Sequence, residues 1–235
     1  MWLKFILVLV GAYLVGSITA AYFAVKLFKG IDIRKVGTGT VGSSNVAHTT
    51  SKWLAVPIAL FDMAKGMLVF WIAGLIGLSV AQQMAVGFMA IVGHDWPLFV
   101  GFKGGKGMIT TLGIIAMVSP LLAAIILFIA YSPAIKRQMA TGVFVALLSL
   151  PLWSWFGWNW LHIALFGHSG TIKLEDRLPV TIGFICMVIL AFVKRLIGTR
   201  VELSKNVSTG ELLLNRLFFD RDIRDRKAWI DRKPA

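Results

Sequence analysis

The sequence predicts an all-α fold, a polytopic membrane helical bundle of about seven helices, two of them short, with the N-terminus outside and the C-terminus cytoplasmic. Three observations carry this. Hydrophobic residues make up 57% of the 235 and charged residues only 15%, too little polar surface to cover a soluble core. Apolar stretches of roughly 20 residues recur, each long enough to cross about 30 Å of hydrocarbon. The cations gather in short segments between those stretches, the pattern of the positive-inside bias.

The first span runs from about Trp2 to Val25. Its start imitates a secretory signal, but the apolar run continues past Ala21 and reads as a retained helix. A loop with Lys26, Lys29, Arg34, Lys35 and Lys52 follows, then a second span from Trp53 to Leu78 carrying Asp62 and Lys65. The third, Val80 to Val100, ends in Gly93-His94-Asp95-Trp96-Pro97. The stretch Met108 to Tyr131 is interrupted by Ser119-Pro120, where proline removes a helix donor and clashes with the preceding turn. One straight span would leave Lys136 and Arg137 outside; two short helices folded back return them to the cytoplasm, which the charge rule favours. A span from Met139 to Phe166 follows, with Trp153, Trp155, Trp158 and Trp160 as an interfacial belt. The loop His168 to Leu178, in which Lys173, Glu175, Asp176 and Arg177 cancel, suits the outer face. The last span, Pro179 to Val193, leads into Lys194, Arg195 and Arg200.

Residues 1–202 thus form the membrane domain, and residues 203–235 a cytoplasmic tail. Leu212, Leu213, Leu214, Leu217, Phe218 and Phe219 precede a charged run there. Two readings of the tail stay open, an amphipathic helix on the inner leaflet and a partly disordered solvated segment.

A net charge of +13 suggests nucleic acid in a soluble protein. Between membrane spans it points instead to the lipid bilayer's anionic head groups and phosphorylated substrates, with no nucleic acid. The single cysteine, Cys186, lies in an apolar run, so neither a disulfide framework nor a cysteine zinc site is expected. No metal cluster and no G-x-S-x-G elbow occurs, and no cofactor is expected. The His-x4-Asp pair of many glycerolipid acyltransferases is missing too: five residues after His48, His94, His162 and His168 stand Trp53, Phe99, Gly167 and Lys173.

Two loops carry the chemistry. In Gly37-Thr38-Gly39-Thr40-Val41-Gly42-Ser43-Ser44-Asn45 the glycines imitate a dinucleotide fingerprint, but no βαβ unit surrounds them. Glycines still let backbone N–H groups converge on an anion, and Thr38, Thr40, Ser43, Ser44 and Asn45 add side-chain donors. The helix expected to start near Ser51 would aim its positive end at the same place. The second loop, Lys103-Gly104-Gly105-Lys106-Gly107, sets two ammonium groups and three glycines immediately before a helix, a plausible phosphate seat although not a P-loop. The alternatives are a turn glycine-rich only for packing and a positive-inside anchor with flexible glycines. Asp62 and Lys65 are three apart on one helix face, a functional pair or a structural ion pair. His94 reads either as a general base or as a residue that caps and packs.

These stretches resemble the bacterial acyl-phosphate:glycerol-3-phosphate acyltransferases, the PlsY-type membrane enzymes. The matching segments are Gly16-Ser17-Ile18, Lys26 through Gly37, Asn45-Val46, Asp62 through Lys65-Gly66, Gly93-His94, and Phe102 to Gly107. The resemblance implies transfer of a fatty acyl group from acyl-phosphate to the 1-hydroxyl of glycerol 3-phosphate, giving lysophosphatidic acid at the cytoplasmic face of the inner (plasma) membrane. An upstream enzyme producing acyl-phosphate is then a candidate partner. Acyl-phosphate is already activated, so positioning and oxyanion stabilisation suffice without a protein nucleophile. On this reading Lys106 and the loop amides hold phosphate, while Thr38 and Asn45 orient the acceptor.

The remaining phosphate ligands expected are Gly37, Gly39, Thr40, Gly42, Ser43, Ser44, His48, Lys103, Gly104, Gly105, Gly107 and Arg137. Ser17, Asp62, Lys65 and His94 are the intramembrane polar residues. The chain departs from the family pattern where Thr38, Thr40 and Ser43-Ser44 replace Ser, Asn and Ala-Thr. His48 stands at the family's phosphate-binding Arg, Ala140 at a serine and Arg200 at a glutamate. Histidine is mostly neutral near pH 7 and lacks the bidentate fork. A different polyol-phosphate acceptor, and a non-catalytic membrane lipid- or phosphate-binding paralogue, are the alternative functions.

Overall fold

The computed structural model describes residues 2–132, 138–157, 174–198 and 202–230. All regular structure in them is helical. Lys136, Arg137, Trp158, Trp160, His162, His168, Lys173 and Arg200 lie outside the described residues.

The first span is two helices, α1 (Trp2–Ser17) and α2 (Ala20–Lys29), where the sequence suggests one. The break has a local cause: the Lys65 ammonium donates to the carbonyls of Gly16 (3.1 Å) and Ile18 (3.2 Å) at the end of α1. A short helix, α3 (Ser43–Thr49), forms inside the first loop, and α4 (Lys52–Leu75) follows, capped by the Ser51 hydroxyl. Helix α5 (Val80–Asp95) opens on a reciprocal capping box between Ser79 and Gln82. The break expected at Ser119-Pro120 is present. Ser119 closes α6 (Met108–Val118), and its hydroxyl accepts the Leu122 N–H at 3.2 Å to open α7 (Pro120–Tyr131). Then come α8 (Met139–Phe156), α9 (Arg177–Leu196), α10 (Thr209–Phe219) and α11 (Arg226–Ile230).

Four segments among the described residues are long and apolar enough to cross a bilayer: Trp2–Lys29, Lys52–Leu75, Met139–Phe156 and Arg177–Leu196. Helix α6, at 1.5 Å per residue, reaches only about 17 Å and cannot cross alone. The outward faces are apolar, as a lipid-facing surface requires, with Leu7, Leu60, Phe128 and Phe156 all exposed.

Helix α5 packs against α1, α4 and α9, α6 against α4, and α7 against α8. Two crossings are closed by glycine rather than by large side chains. A Cβ on Gly93 would stand 2.2 Å from the Tyr13 carbonyl oxygen, and one on Gly113 would stand 2.1 Å from that of Met63. Backbones meet this closely only where no side chain intervenes, the usual device of helix packing in lipid.

The described part of the tail packs in part against the bundle. Helix α10 packs on α8 and α9, burying Leu212, Asn215 and Arg216. The Arg216 guanidinium pairs with Asp222 at 2.7 Å and donates to the Leu196 carbonyl at 2.8 Å, joining the tail to the end of α9. At one end of the bundle Lys4 donates to the Ile76 carbonyl, and Arg177 stacks 4.1 Å from the Trp155 ring. Lys52, Lys103, Lys106, Lys194 and Arg195 gather at the other, where α4 begins, α5 ends, α6 begins and α9 ends.

Gly93→Ala and Gly113→Ala are expected to destabilise the bundle by roughly 1–3 kcal/mol each through overpacking. Gly11→Ala, with nothing within 4 Å of the added methyl, is expected to be neutral or stabilising. Melting temperatures in detergent read the contrast, and equal behaviour of all three variants would disprove the close-crossing account.

Candidate functional site

The site is built on a buried polar floor. Lys65 Nζ lies 2.9 Å from Asp62 Oδ1 and 2.8 Å from His94 Nδ1, in addition to its two carbonyl acceptors on α1. An ammonium only donates, so His94 Nδ1 accepts and the ring proton sits on Nε2. Asp62, Lys65 and His94 are all buried. The cluster thus joins α1, α4 and α5, with His94 Nδ1 engaged by Lys65. Ser17 belongs to the same corner, its hydroxyl donating to the Tyr13 carbonyl (2.9 Å) and accepting the Leu98 N–H (3.3 Å).

The second loop rests on that floor. The Gly105 N–H donates to the His94 carbonyl at 3.1 Å, and a Cβ on Gly105 would stand 2.1 Å from His94 Nε2. A Cβ on Gly104 would stand 2.2 Å from the same carbonyl oxygen. Gly107 has φ 61°, the left-handed conformation glycine adopts without strain, and from there it opens α6. Close approach to the end of α5 therefore demands these glycines, and flexibility does not explain them. Phe102 also has positive φ, 60°, which a bulky residue rarely adopts. Lys103 is exposed, and Lys106 Nζ lies 2.6 Å from Asp220 Oδ1, a residue of the tail.

Asn45 organises the first loop. Its Oδ1 accepts the Thr38 N–H at 2.9 Å, and its Nδ2 donates to the carbonyls of Ile33 (3.1 Å), Val36 (3.0 Å) and Thr40 (3.0 Å). Every polar atom of this amide is used on backbone, which leaves no donor to orient an acceptor alcohol as the sequence reading expects. Gly37, at φ 57°, is pressed against it: a Cβ there would lie 2.2 Å from Asn45 Oδ1. Gly39 also has positive φ, 74°, while Gly42 caps α3 in an extended conformation. Thr38 and Thr40 share a hydroxyl hydrogen bond of 2.9 Å. Ser43 and Ser44 form the first turn of α3, so the helix that begins at this loop is α3 and not the one after Ser51. His48, on α3, is solvent-exposed. Partial burial, and then the positive charges of Arg226 and Lys52, hold its pKa below the usual 6.5.

Arg34 links the segment leading into the first loop to the segment leading into the second. Its guanidinium pairs with Asp32 at 2.7 Å, donates to the Val100 carbonyl at 2.7 Å, and lies 4.7 Å from the Tyr22 ring centroid. Bonding to Arg34 holds the Asp32 carboxyl down at about 2. Sequence reasoning counted Arg34 only as a topological cation; the Asp-x-Arg spacing was the signal available. It also missed Lys194, which donates to the Asp95 carbonyl and stands 4.2 Å from the Trp96 ring centroid. Asp220 carried no signal at all. Of the expected phosphate ligands, Arg137 lies outside the described residues. Beside the floor, an apolar groove of about 470 Å³ runs between α1 and α4, lined by Val15, Ile18, Phe61, Met67, Leu68 and Trp71, with Lys65 at its base.

The model of the family described as glycerol-3-phosphate acyltransferase matches residues 6–200. Glycerol-3-phosphate acyltransferase 4 of Dehalococcoides mccartyi strain CBDB1 is 38% identical over 231 residues, covering 98% of this chain and 95% of the relative. Glycerol-3-phosphate acyltransferase 5 of Dehalococcoides mccartyi strain ATCC BAA-2266 / KCTC 15142 / 195 is 37% identical, covering 100% of this chain and 96% of the relative. Among solved structures, the glycerol 3-phosphate form of PlsY, an integral membrane glycerol 3-phosphate acyltransferase, superposes with a TM-score of 0.69 at 28% identity, covering 82% of this chain and 88% of that one. Its lysophosphatidic acid form gives 0.68 at 27% identity over the same shares, 82% and 88%.

Two outcomes follow from the loop geometry. Asn45→Asp replaces a donor facing three carbonyls by an acceptor, and is expected to cost about 2–4 kcal/mol and to raise hydrogen exchange across residues 33–45; unchanged exchange would remove Asn45 as the loop's organiser. Because the folded pKa of His48 is depressed, the unfolded chain binds the extra proton first on acidification. Stability is therefore lost as pH falls below about 6.5, and His48→Gln should flatten the fall in melting temperature between roughly pH 7.5 and 5. A parallel decline in both proteins would contradict this.

Proposed function

The chain belongs to the glycerol-3-phosphate acyltransferase family, and on that premise we propose how its own residues carry the reaction. It is a membrane acyltransferase that acylates glycerol 3-phosphate to lysophosphatidic acid. The donor we propose is acyl-phosphate, attacked by the 1-hydroxyl of the acceptor. The hydroxyl oxygen bonds to the acyl carbon, the carbon–oxygen bond to phosphate breaks, and the departing phosphate takes the hydroxyl proton. No nucleophile of the protein is required, which agrees with the lack of a G-x-S-x-G elbow or a His-x4-Asp pair in the sequence.

The observation that carries this reading is the seating of the second glycine-and-cation loop on the polar floor of Lys65 and His94, with Arg34, just before the first loop, bonded to the Val100 carbonyl just before the second. Two phosphorylated substrates need two cationic seats side by side. In this proposal Lys106 and the second loop hold one phosphate, and Thr38, Thr40, Ser43 and Ser44 offer hydroxyl donors to the other, with Asn45 holding the first loop in shape. Lys103 gathers anionic substrate by long-range attraction. The acyl chain takes the apolar groove between α1 and α4, whose base at Lys65 is one side chain removed from His94 beneath the second loop. The cationic end faces the cytoplasm of a plasma membrane, since the positive-inside bias applies to just such short loops.

The purified protein, given acyl-phosphate and labelled glycerol 3-phosphate, is expected to form lysophosphatidic acid. Lys106→Ala should lose about 10²–10³ in kcat/KM, the scale for removing one donor to developing negative charge. Turnover indifferent to Lys106→Ala would overturn the phosphate seat.

A further inference from the structure

The segment after residue 200 lies beyond the span that matches the family, yet both Dehalococcoides relatives align across it. One of its carboxylates reaches into the site. Asp220 Oδ1 lies 2.6 Å from Lys106 Nζ and 3.9 Å from Arg195 Nε, an anion between a cation of the second loop and a cation at the end of α9. We propose that Lys106 and Arg195 form one phosphate subsite of the acyltransferase, and that Asp220 is an intramolecular occupant which the substrate phosphate displaces. The proposal rests on the reading of Lys106 as a phosphate ligand.

Arg195 is the unexpected member. It is 5% exposed, with Nη1 donating to the Leu217 carbonyl at 2.8 Å and Nη2 reaching the Ala140 carbonyl at 3.5 Å. Its Nε is buried and has no acceptor within hydrogen-bond distance; the nearest anion is the Asp220 oxygen, beyond bonding reach. A guanidinium cannot shed its charge, and burying one with an N–H unmet is costly. A phosphate between Lys106 and Arg195 would bring more charge and more acceptor oxygens than one carboxylate, and so meet both.

The placement of Asp220 is firm, whereas its ion pair is exchangeable. The residue ends α10 in the left-handed region at φ 58°, its N–H donating to the Arg216 carbonyl at 3.1 Å. Arg216 is itself pinned to Asp222 at 2.7 Å and to the Gly198 carbonyl at 2.9 Å. Lys106 and Asp220 keep about a quarter of their side-chain surface open, 25% and 26%. Solvent therefore weakens the pair, and an incoming phosphate has access. Tail and substrate compete for one pair of cations, so Asp220 sets the substrate concentration at which the site fills.

Asp220→Asn tests this with little risk to the fold, because asparagine also tolerates the left-handed cap. In the full-length protein in lipid nanodiscs, the variant is expected to lower the KM for glycerol 3-phosphate or for acyl-phosphate by about three- to tenfold, and whichever falls identifies the phosphate bound there. Inorganic phosphate should raise the melting temperature of Asp220→Asn more than that of the parent. Arg195→Lys, keeping charge but losing the fork, should raise the same KM in the Asp220→Asn background. An unchanged or higher KM for both substrates in Asp220→Asn, or a fall in kcat with KM unchanged, would overturn the proposal. If Asp220→Asn is silent while Lys106→Ala still impairs binding, this proposal fails and the reading of Lys106 as a phosphate ligand stands. If Lys106→Ala leaves binding unaltered in both backgrounds, the phosphate seat itself fails.

Discussion

The ammonium of Lys65 is the constraint on which the site depends. A charge within an apolar helix costs roughly 2.5–3.5 kcal/mol on insertion scales unless it is compensated. Here it is met four times, by Asp62, His94 and the carbonyls of Gly16 and Ile18. Meeting it ends α1 and binds that helix to α4 and α5. The same cluster positions His94, whose ring forms the surface on which Gly105 lies. A cost imposed by the bilayer thus becomes the registry device for the second glycine loop.

Above this floor the loops are held by backbone acceptors more than by partner charges. Arg34 reaches the Val100 carbonyl, Asn45 gathers three carbonyls and one N–H, and Gly104 and Gly105 press directly on the end of α5. Such contacts leave Lys103 exposed and the hydroxyls of Thr38 and Thr40 bonded to each other. In the proposed site, residues that build the cradle are distinct from residues that would face an anion. Asn45 falls on the building side of that division, and the proposed subsite would add Arg195, which the sequence marks only as a positive-inside cation.

The departures from the family pattern also read differently in three dimensions. His48 is an exposed residue of α3 whose neighbourhood already holds Lys52 and Arg226, so cationic character near the first loop does not depend on that one position. The tail, outside the family span, contributes both Arg226 and Asp220. Charge lost within the matched region is thus accompanied by charge brought from beyond it.

Periodicity, composition and proline by themselves determined the bilayer as solvent, the approximate spans, the break at Ser119-Pro120 and the two loops that carry cations and glycines. Each of these is a local property: hydropathy over a helix length, a missing N–H, a cluster of like charges. Only the tertiary structure decided the break at Ile18-Thr19, the employment of Asn45 and His94, and the docking of the tail onto Lys106. Those outcomes depend on partners 49 residues away in the case of Lys65 and Gly16, or on a carboxylate reaching back from Asp220 to Lys106. A side chain's chemistry is written in its own code, but whether its donors are spent on scaffold or left for substrate is set by which carbonyls the fold brings to it.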